Sequence, residues 1–365
     1  MFARIQARVA VGLAAALGLA AAPAAAQDGP LDRLQIHGYL SQAYVGSTDL
    51  PVIGIGTEPT GSYRRAALQF RYAVSDNDNL VVQFRNRRLG DSPLNAAESD
   101  VALDWAFYQH RAGRTSLKIG KVAFPRGIYN EIRDAGTILP FYRAPYNFYL
   151  EGFETIDGAV LSTRIPLGGF SLEPSIYGGG LEYRSSRQTA EGPVLLRARG
   201  ERTAGGQLWV NTPVQGVRIG GSAIHTRFDD ASFAQNPGEH NSLTLMGSFD
   251  ASFTHGFVRA EIEHFSVGTF DYRAWYAQAG VRPTEKLSIN VQADIADVTL
   301  ATPGGPFSYD QARDYAVGVN YAFLPNLVGK LEGHRATGYW FDAPIAPTGP
   351  AGETEYGIAS IAVSF

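Results

Sequence analysis

Hydrophobic and polar residues alternate with period two along most of this chain. In the run ALQFRYAV (67–74), Leu68, Phe70, Tyr72 and Val74 fall on one side, and Gln69 and Arg71 on the other. Leu80, Val82 and Phe84 likewise oppose Gln83, Arg85 and Arg87. Val101, Leu103, Trp105 and Phe107 are set against Asp104, Tyr108 and His110, and Leu287, Ile289, Val291 and Ile295 against Ser288, Asn290, Gln292 and Asp294. Such alternation marks strands whose two faces meet unlike surroundings. It predicts strands near 33–45, 62–74, 79–89, 100–111, 115–124, 154–165, 169–181, 200–212, 216–228, 241–253, 256–267, 270–282, 286–298, 311–323, 326–337 and 354–365, sixteen in all.

Connector lengths carry a second signal. Short ones, such as 75–79 and the PTEK turn at 283–286, alternate with longer ones near 46–61, 90–99, 125–153, 182–199, 229–240, 299–310 and 338–353. Only the connector near 268–270 is short where a long one is due. Tight turns on one side and long loops on the other are the habit of transmembrane barrels. A strand of about eleven residues rises ~36 Å and, tilted near 45°, covers the ~25 Å apolar band of such a barrel. An open sheet would leave unpaired backbone groups in lipid, so the sheet must close. The predicted fold is all-β: a transmembrane antiparallel β-barrel, apolar side chains towards lipid and Arg, Gln, Asp and Asn towards an open lumen.

The first residues read as a removable address. Arg4 and Arg8 precede an apolar run at 9–22, and APAAA supplies small residues for cleavage after Ala26. The run is short of the ~20 residues a membrane helix needs. The expected organisation is a secretory signal peptide at 1–26 and a barrel at 27–365. Loss of two Arg takes the formal charge from -4 to -6, which argues against nucleic acid as a partner. Absence of cysteine removes disulfides, thiolate metal sites and a Cys nucleophile together.

The last ten residues, YGIASIAVSF, alternate Ala359, Ile361, Val363 and terminal Phe365 on the outward face. They resemble the C-terminal strand of outer-membrane barrel proteins, whose final aromatic is read by the barrel-assembly machinery. The stretch LKIGKVAFPRGIYNEIRD (117–134) resembles the end of the fifth strand and the following loop in a proteobacterial porin family. With the strand count and loop asymmetry, the chain resembles the sixteen-stranded Gram-negative porin superfamily. The resemblance implies a homotrimer in the bacterial outer membrane, bedded in lipid and lipopolysaccharide. It also implies that the third external loop, here 125–153, folds into the lumen as a constriction.

The loop's composition suits that role. Arg126, Arg133 and Arg143 oppose Glu131, Asp134 and Glu151, while Pro125, Pro140 and Pro145 limit its freedom. Tyr129, Phe141, Tyr142, Tyr146, Phe148 and Tyr149 offer apolar contact. The alternative is a loop lying outside, against a neighbouring subunit. On the facing wall Arg65, Arg71, Arg85 and Arg87 are predicted to form a basic stripe, with Arg71 opposite Gln83 and Arg85 opposite Gln69 across the turn. Fixed charge of this kind sets ion preference in pores. The competing reading is that these Arg bond loop carboxylates and stiffen a hollow barrel. Arg259, Glu261, Glu263, Asp294, Lys330 and Glu332 make the opposite wall mixed, so the sign of selectivity stays open.

No G-x-S-x-G or H-E-x-x-H motif occurs, and His37, His110, His264 and His334 are read as scattered lumen residues. No cofactor, metal or catalytic residue is expected. The chain is read as a passive diffusion channel for small hydrophilic solutes and ions. A substrate-specific channel for small, including anionic, solutes is the alternative; a barrel hydrolase and a soluble exported β protein are further ones.

Overall fold

The computed structural model describes residues 30–92, 101–189, 192–228 and 240–365. The predicted signal peptide lies outside the described residues, as do 93–100 and 229–239 within two of the predicted external connectors.

After a 3-10 turn at Pro30–Arg33, the strands are β1 (Leu34–Ser47), β2 (Thr60–Ala73), β3 (Asp78–Leu89), β4 (Ala102–Ala112) and β5 (Thr115–Ala123). Next come β6 (Thr155–Thr163), β7 (Ile165–Leu167), β8 (Phe170–Thr189), β9 (Gly192–Asn211), β10 (Val217–Phe228), β11 (His240–Phe253) and β12 (Gly256–Val267). The last are β13 (Phe270–Val281), β14 (Leu287–Thr302), β15 (Gly305–Leu324), β16 (Leu327–Gly338) and β17 (Gly352–Ser364). β6 and β7 apart, which both pair with β8, each strand pairs antiparallel with its chain neighbours, and β17 returns to β1, with Tyr39 opposite Ser364 and Ser47 opposite Tyr356. The sheet is therefore a closed barrel without edges.

β6 and β7 are two parts of one stave, since both pair with β8 in the same register. That register sets Pro174 opposite Thr163, where the ladder lapses. Proline has no N–H to give to a ladder. Seventeen segments thus make the sixteen predicted staves.

Large apolar side chains such as Ile36, Leu80, Val291 and Leu331 stand exposed on the outer face. Their polar neighbours along the same strands, among them Gln83, Asn290, Gln292 and Glu332, are buried inside. The barrel exterior is thus the apolar side.

Four expectations are corrected. The connectors predicted at 182–199 and 299–310 are largely strand: β8, β9 and β15 each run to 20 residues, raising the wall there. The turn after β2 closes over Ser75–Asp78, with Val74 N donating to Asp78 O at 2.8 Å. It therefore pairs Gln69 with Gln83 and Arg65 with Arg87, two residues away from the predicted register. Finally, the β3–β4 ladder slips between Gln83 and Phe84, so that Asp104 is the extra residue of a bulge. One extra residue reverses every side chain beyond it. Below the bulge Trp105 pairs with the inward Gln83, while Tyr108 pairs with the outward Leu80. Trp105 and Phe107 thus face the interior, and Tyr108 and His110 the outside. His264 also faces outward, paired with Leu245, so His37 and His334 alone of the four named histidines face inward.

Candidate functional site

The segment between β5 and β6, residues 124–154, leaves and re-enters the sheet at adjacent staves. Most of its side chains are buried; Glu131, Ile132 and Ile138 are the exposed ones. Its single helical turn, α1 (Tyr146–Tyr149), follows Pro145.

One set of its contacts is with β2, β3 and β4. Arg65 and Arg87, directly opposite each other and only 2% and 1% exposed, both point at loop carboxylates. Arg65 reaches Asp134 at 3.1 Å and Glu151 at 2.7 Å. Arg87 reaches Asp134 at 2.5 Å, Glu151 at 3.1 Å and Glu154 at 2.7 Å. Arg85 pairs with Glu154 and, at 3.1 Å, with Asp104 at the bulge. Within the loop, Arg143 grips Glu151 at 2.6 Å, and Arg133 lies 3.8 Å from Glu151 and 3.6 Å from Glu154. Burial opposes ionisation of Glu151, but the guanidiniums of Arg65, Arg143 and Arg87 outweigh it and hold the carboxyl well below the usual range. Burial likewise works against Asp134, and Arg87 and Arg65 bring it down in the same way. For Arg133 burial prevails and lowers the guanidinium.

A second set is with strands from the other half of the chain. Tyr142 N donates to Glu332 at 2.6 Å, and Lys330 donates to the carbonyls of Leu139 and Phe141 at 2.7 and 2.9 Å. Asn320 and Asn290 both donate to Pro140 O, at 2.9 and 3.3 Å. Asn147 N donates to Asp294 at 2.9 Å, and the Tyr272 hydroxyl donates to Asn147 O. Arg126 pairs with Glu263 at 2.5 Å, its guanidinium lying over Phe148, Tyr149 and Phe153. Glu261 accepts from Ile128 N at 3.1 Å, from Tyr276 at 2.6 Å and from the Tyr149 hydroxyl. Tyr129 donates to Gln278 at 2.5 Å and accepts from Arg259 at 2.8 Å.

The residues singled out by sequence divide accordingly. Arg65, Arg85, Arg87, Arg133, Asp134 and Arg143 gather in one ion-pair network. Arg126 and Tyr129 sit apart, on the β12 and β13 side, and Tyr142 packs on Tyr63 with ring centroids 5.4 Å apart. Glu131 accepts from Lys118 at 3.1 Å, away from that network. Arg71 is outside the network: it stands near the β2–β3 turn and bonds Asn79 at 3.1 Å. Three of the four predicted stripe residues, Arg65, Arg85 and Arg87, are thus each paired with carboxylates. Asp104, Glu154, Tyr276, Asn290 and Asn320 were not singled out. Their only sequence signal was inward parity, and Glu154 was hidden in the predicted start of a strand.

A second interlock covers part of the external end. Asp342 accepts from Gly54 N at 2.5 Å, and Arg143 donates to Ile53 O at 3.2 Å and to the Tyr63 hydroxyl at 2.7 Å. Val52, Ile55, Leu89, Phe341 and Tyr356 close an apolar cluster around them.

No protein-family model matches the chain, and no curated protein matches it in sequence. Solved structures do match in fold. Salmonella typhi OmpF, in complex with daunomycin, superposes with a TM-score of 0.58 at 14% identity, over 91% of this chain and 97% of that one. An anion-selective porin from Comamonas acidovorans gives 0.56 at 8% identity, over 91% and 99%. The trimer form of in-vitro folded OmpT, an outer membrane protein of Vibrio cholerae, gives 0.56 at 12%, over 91% and 99%. The chain is an outer-membrane type of β-barrel, sixteen staves closed on themselves, with the fold of the porins.

Proposed function

We propose that this chain is a passive outer-membrane diffusion channel for small hydrophilic solutes and ions, with the segment 125–153 crossing its lumen at the narrowest passage. One observation carries the reading. The same loop bonds Arg65 and Arg87 of β2 and β3 through Asp134 and Glu151, and bonds Asp294 and Glu332 of β14 and β16 through the backbone of Asn147 and Tyr142. A flap lying outside against a neighbouring subunit would not meet inward side chains from both halves of the wall. The arginines act mainly by positioning this loop, since their charge is met by carboxylates.

Assembly as a homotrimer is part of the proposal, supported by the fold shared with a barrel described in trimer form. So are a setting in outer-membrane lipid and lipopolysaccharide and delivery by the barrel-assembly machinery through Phe365. We assign no catalytic activity. Planar-bilayer recording tests the core of the reading: purified protein is expected to give stepwise ion conductance, and its absence in correctly inserted protein would overturn it. A substrate-specific channel is the second reading, favoured by a loop whose side chains are mostly buried against the wall. Saturable rather than linear solute flux would select it.

A further inference from the structure

We infer that the inner wall beneath the loop carries a docking pocket for a small, uncharged polyhydroxyl solute the size of one sugar ring. The inference rests on the channel reading above and names a solute class for it. A cavity of about 260 Å³ lies between the inward face of β1–β4 and the underside of the loop. It is lined by His37, Tyr39, Gln69, Gln83, Trp105 and Asn130, among others. Pockets for small organic ligands begin near ~300 Å³, so this space is of the size that seats a single ring.

Its chemistry is that of neutral polar recognition. Trp105 and Tyr39, both half-buried, offer aromatic surface on which the C–H face of a sugar can lie. Among the described residues, the Tyr39 hydroxyl, the His37 ring and the Trp105 Nε1–H have no protein partner. Gln69 donates its amide nitrogen to Gln83 at 2.9 Å, which leaves its oxygen's own lone pairs towards the cavity. Donors and acceptors thus converge on one space without a protein partner, which is what a hydroxylated ligand requires.

Charge points away from an ionic ligand. The acids on the lining are occupied: Asp104 and Glu154 by Arg85, Asp134 by Arg65 and Arg87, and Glu131 by Lys118. Arg133, also on the lining, lies between Glu151 and Glu154 at 3.8 and 3.6 Å, so a charged solute would have to displace one of these pairs, whereas a neutral one can use the amides, the Tyr39 hydroxyl, the His37 imidazole and the Trp105 indole. The bulge at Asp104 creates the site, because it turns Trp105 from the lipid side to the interior.

The test uses the full-length protein in detergent and D-glucose as probe, read by titration calorimetry, with single-channel current in planar bilayers as a parallel measurement. Glucose is expected to bind saturably and to interrupt the current, while gluconate and glucosamine do so at least tenfold less well. Tyr39→Phe, which keeps the ring and removes one donor, and Trp105→Phe, which leaves a smaller aromatic face and removes the indole N–H, are expected to weaken glucose several-fold, and Trp105→Ala at least tenfold. Normal salt conductance with no heat of glucose binding would overturn the pocket and leave the channel intact. Glucose binding without salt conductance would support the pocket and overturn the channel. Binding unchanged in all three variants would place glucose elsewhere and overturn the assignment.

Discussion

Arg65 and Arg87 stand directly opposite one another on neighbouring strands and share two acceptors, Asp134 and Glu151. Two like charges in cross-strand register would repel on their own. The loop's carboxylates convert that repulsion into a clamp.

Glu151 is the centre of the clamp, within 4 Å of Arg65, Arg87, Arg133 and Arg143. Glu151→Gln is expected to destabilise the folded barrel by about 3–5 kcal/mol, the usual cost of unpairing a buried ion. The check is the temperature at which the heat-modifiable band unfolds on a gel, and an unchanged temperature would refute the clamp. Replacing Arg65, Arg71, Arg85 and Arg87 by Gln, which the basic stripe suggests as a test of anion preference, should also loosen the loop.

Acid should release the loop. Asp134, Glu151 and Glu154 all ionise more readily here than in an unfolded chain, since their guanidinium partners outweigh burial. Depressed carboxyls contribute stability that is complete above the unfolded value, about 4, and is lost as pH falls through the folded values. Unfolding temperature is expected to be flat from about pH 5 to 8 in this respect and to drop below about pH 4. In Glu151→Gln the acid drop should shrink.

Shortening 125–153 to a tight turn should raise single-channel conductance, because the proposed narrowing is removed while the wall remains. It should also lower thermal stability, since Asp294, Lys330 and Glu332 lose their loop partners. A shortened protein that inserts normally and conducts no better than wild type would put the loop outside the pore.

Gly158→Ala tests the wall itself. A Cβ there would lie 2.0 Å from the carbonyl oxygen of Gly178, a backbone atom that cannot step aside. The variant is expected to fold in markedly lower yield, with a lower unfolding temperature, whereas Gly113→Ala, at a turn with open space around it, should lose only the smaller strain of its positive φ.

Phe365 closes the seam: its backbone exchanges hydrogen bonds with Gly38 at 2.9 and 3.0 Å, and its ring covers Gly38. Deleting Phe365 is expected to slow assembly in pulse-chase while export across the inner membrane stays normal. Gly38→Val, whose Cβ would meet the ring at 2.4 Å, should slow it too by lifting the aromatic from its seat.

Much of the barrel was legible because lipid enforces a simple rule on alternate residues. Leu68, Phe70 and Leu80 announce the outer face, and their neighbours the inner one. The rule fails where a single residue is added: nothing in VALDWAFYQH says that Asp104 is the bulge and that Trp105 turns inward. It also fails where pairing continues beyond the alternating run, as in β8 and β9, whose ladder extends to Thr189 and Gly192. For the loop, composition announced balanced charge, and its length and place announced importance. The identity of each partner was beyond reach, because Glu151 meets Arg65 across 86 residues and Tyr142 meets Glu332 across 190. Such pairs depend on the closed ring, which no local pattern encodes.

The same separations order events in time. Leu139 and Phe141 precede Lys330, the donor to their carbonyls, by 191 and 189 residues. A chain emerging from its N-terminus has made the loop long before it has made that anchor. Contacts so distant in sequence form late, since the whole intervening length must first be arranged. Until then Asp134, Glu151 and the tyrosines of α1 must be kept from mistaken partners while the remaining hairpins are laid down. Settling of the loop is therefore a natural last step of maturation and a reporter of it: protection of 125–153 from protease should lag behind the joining of β1 to β17.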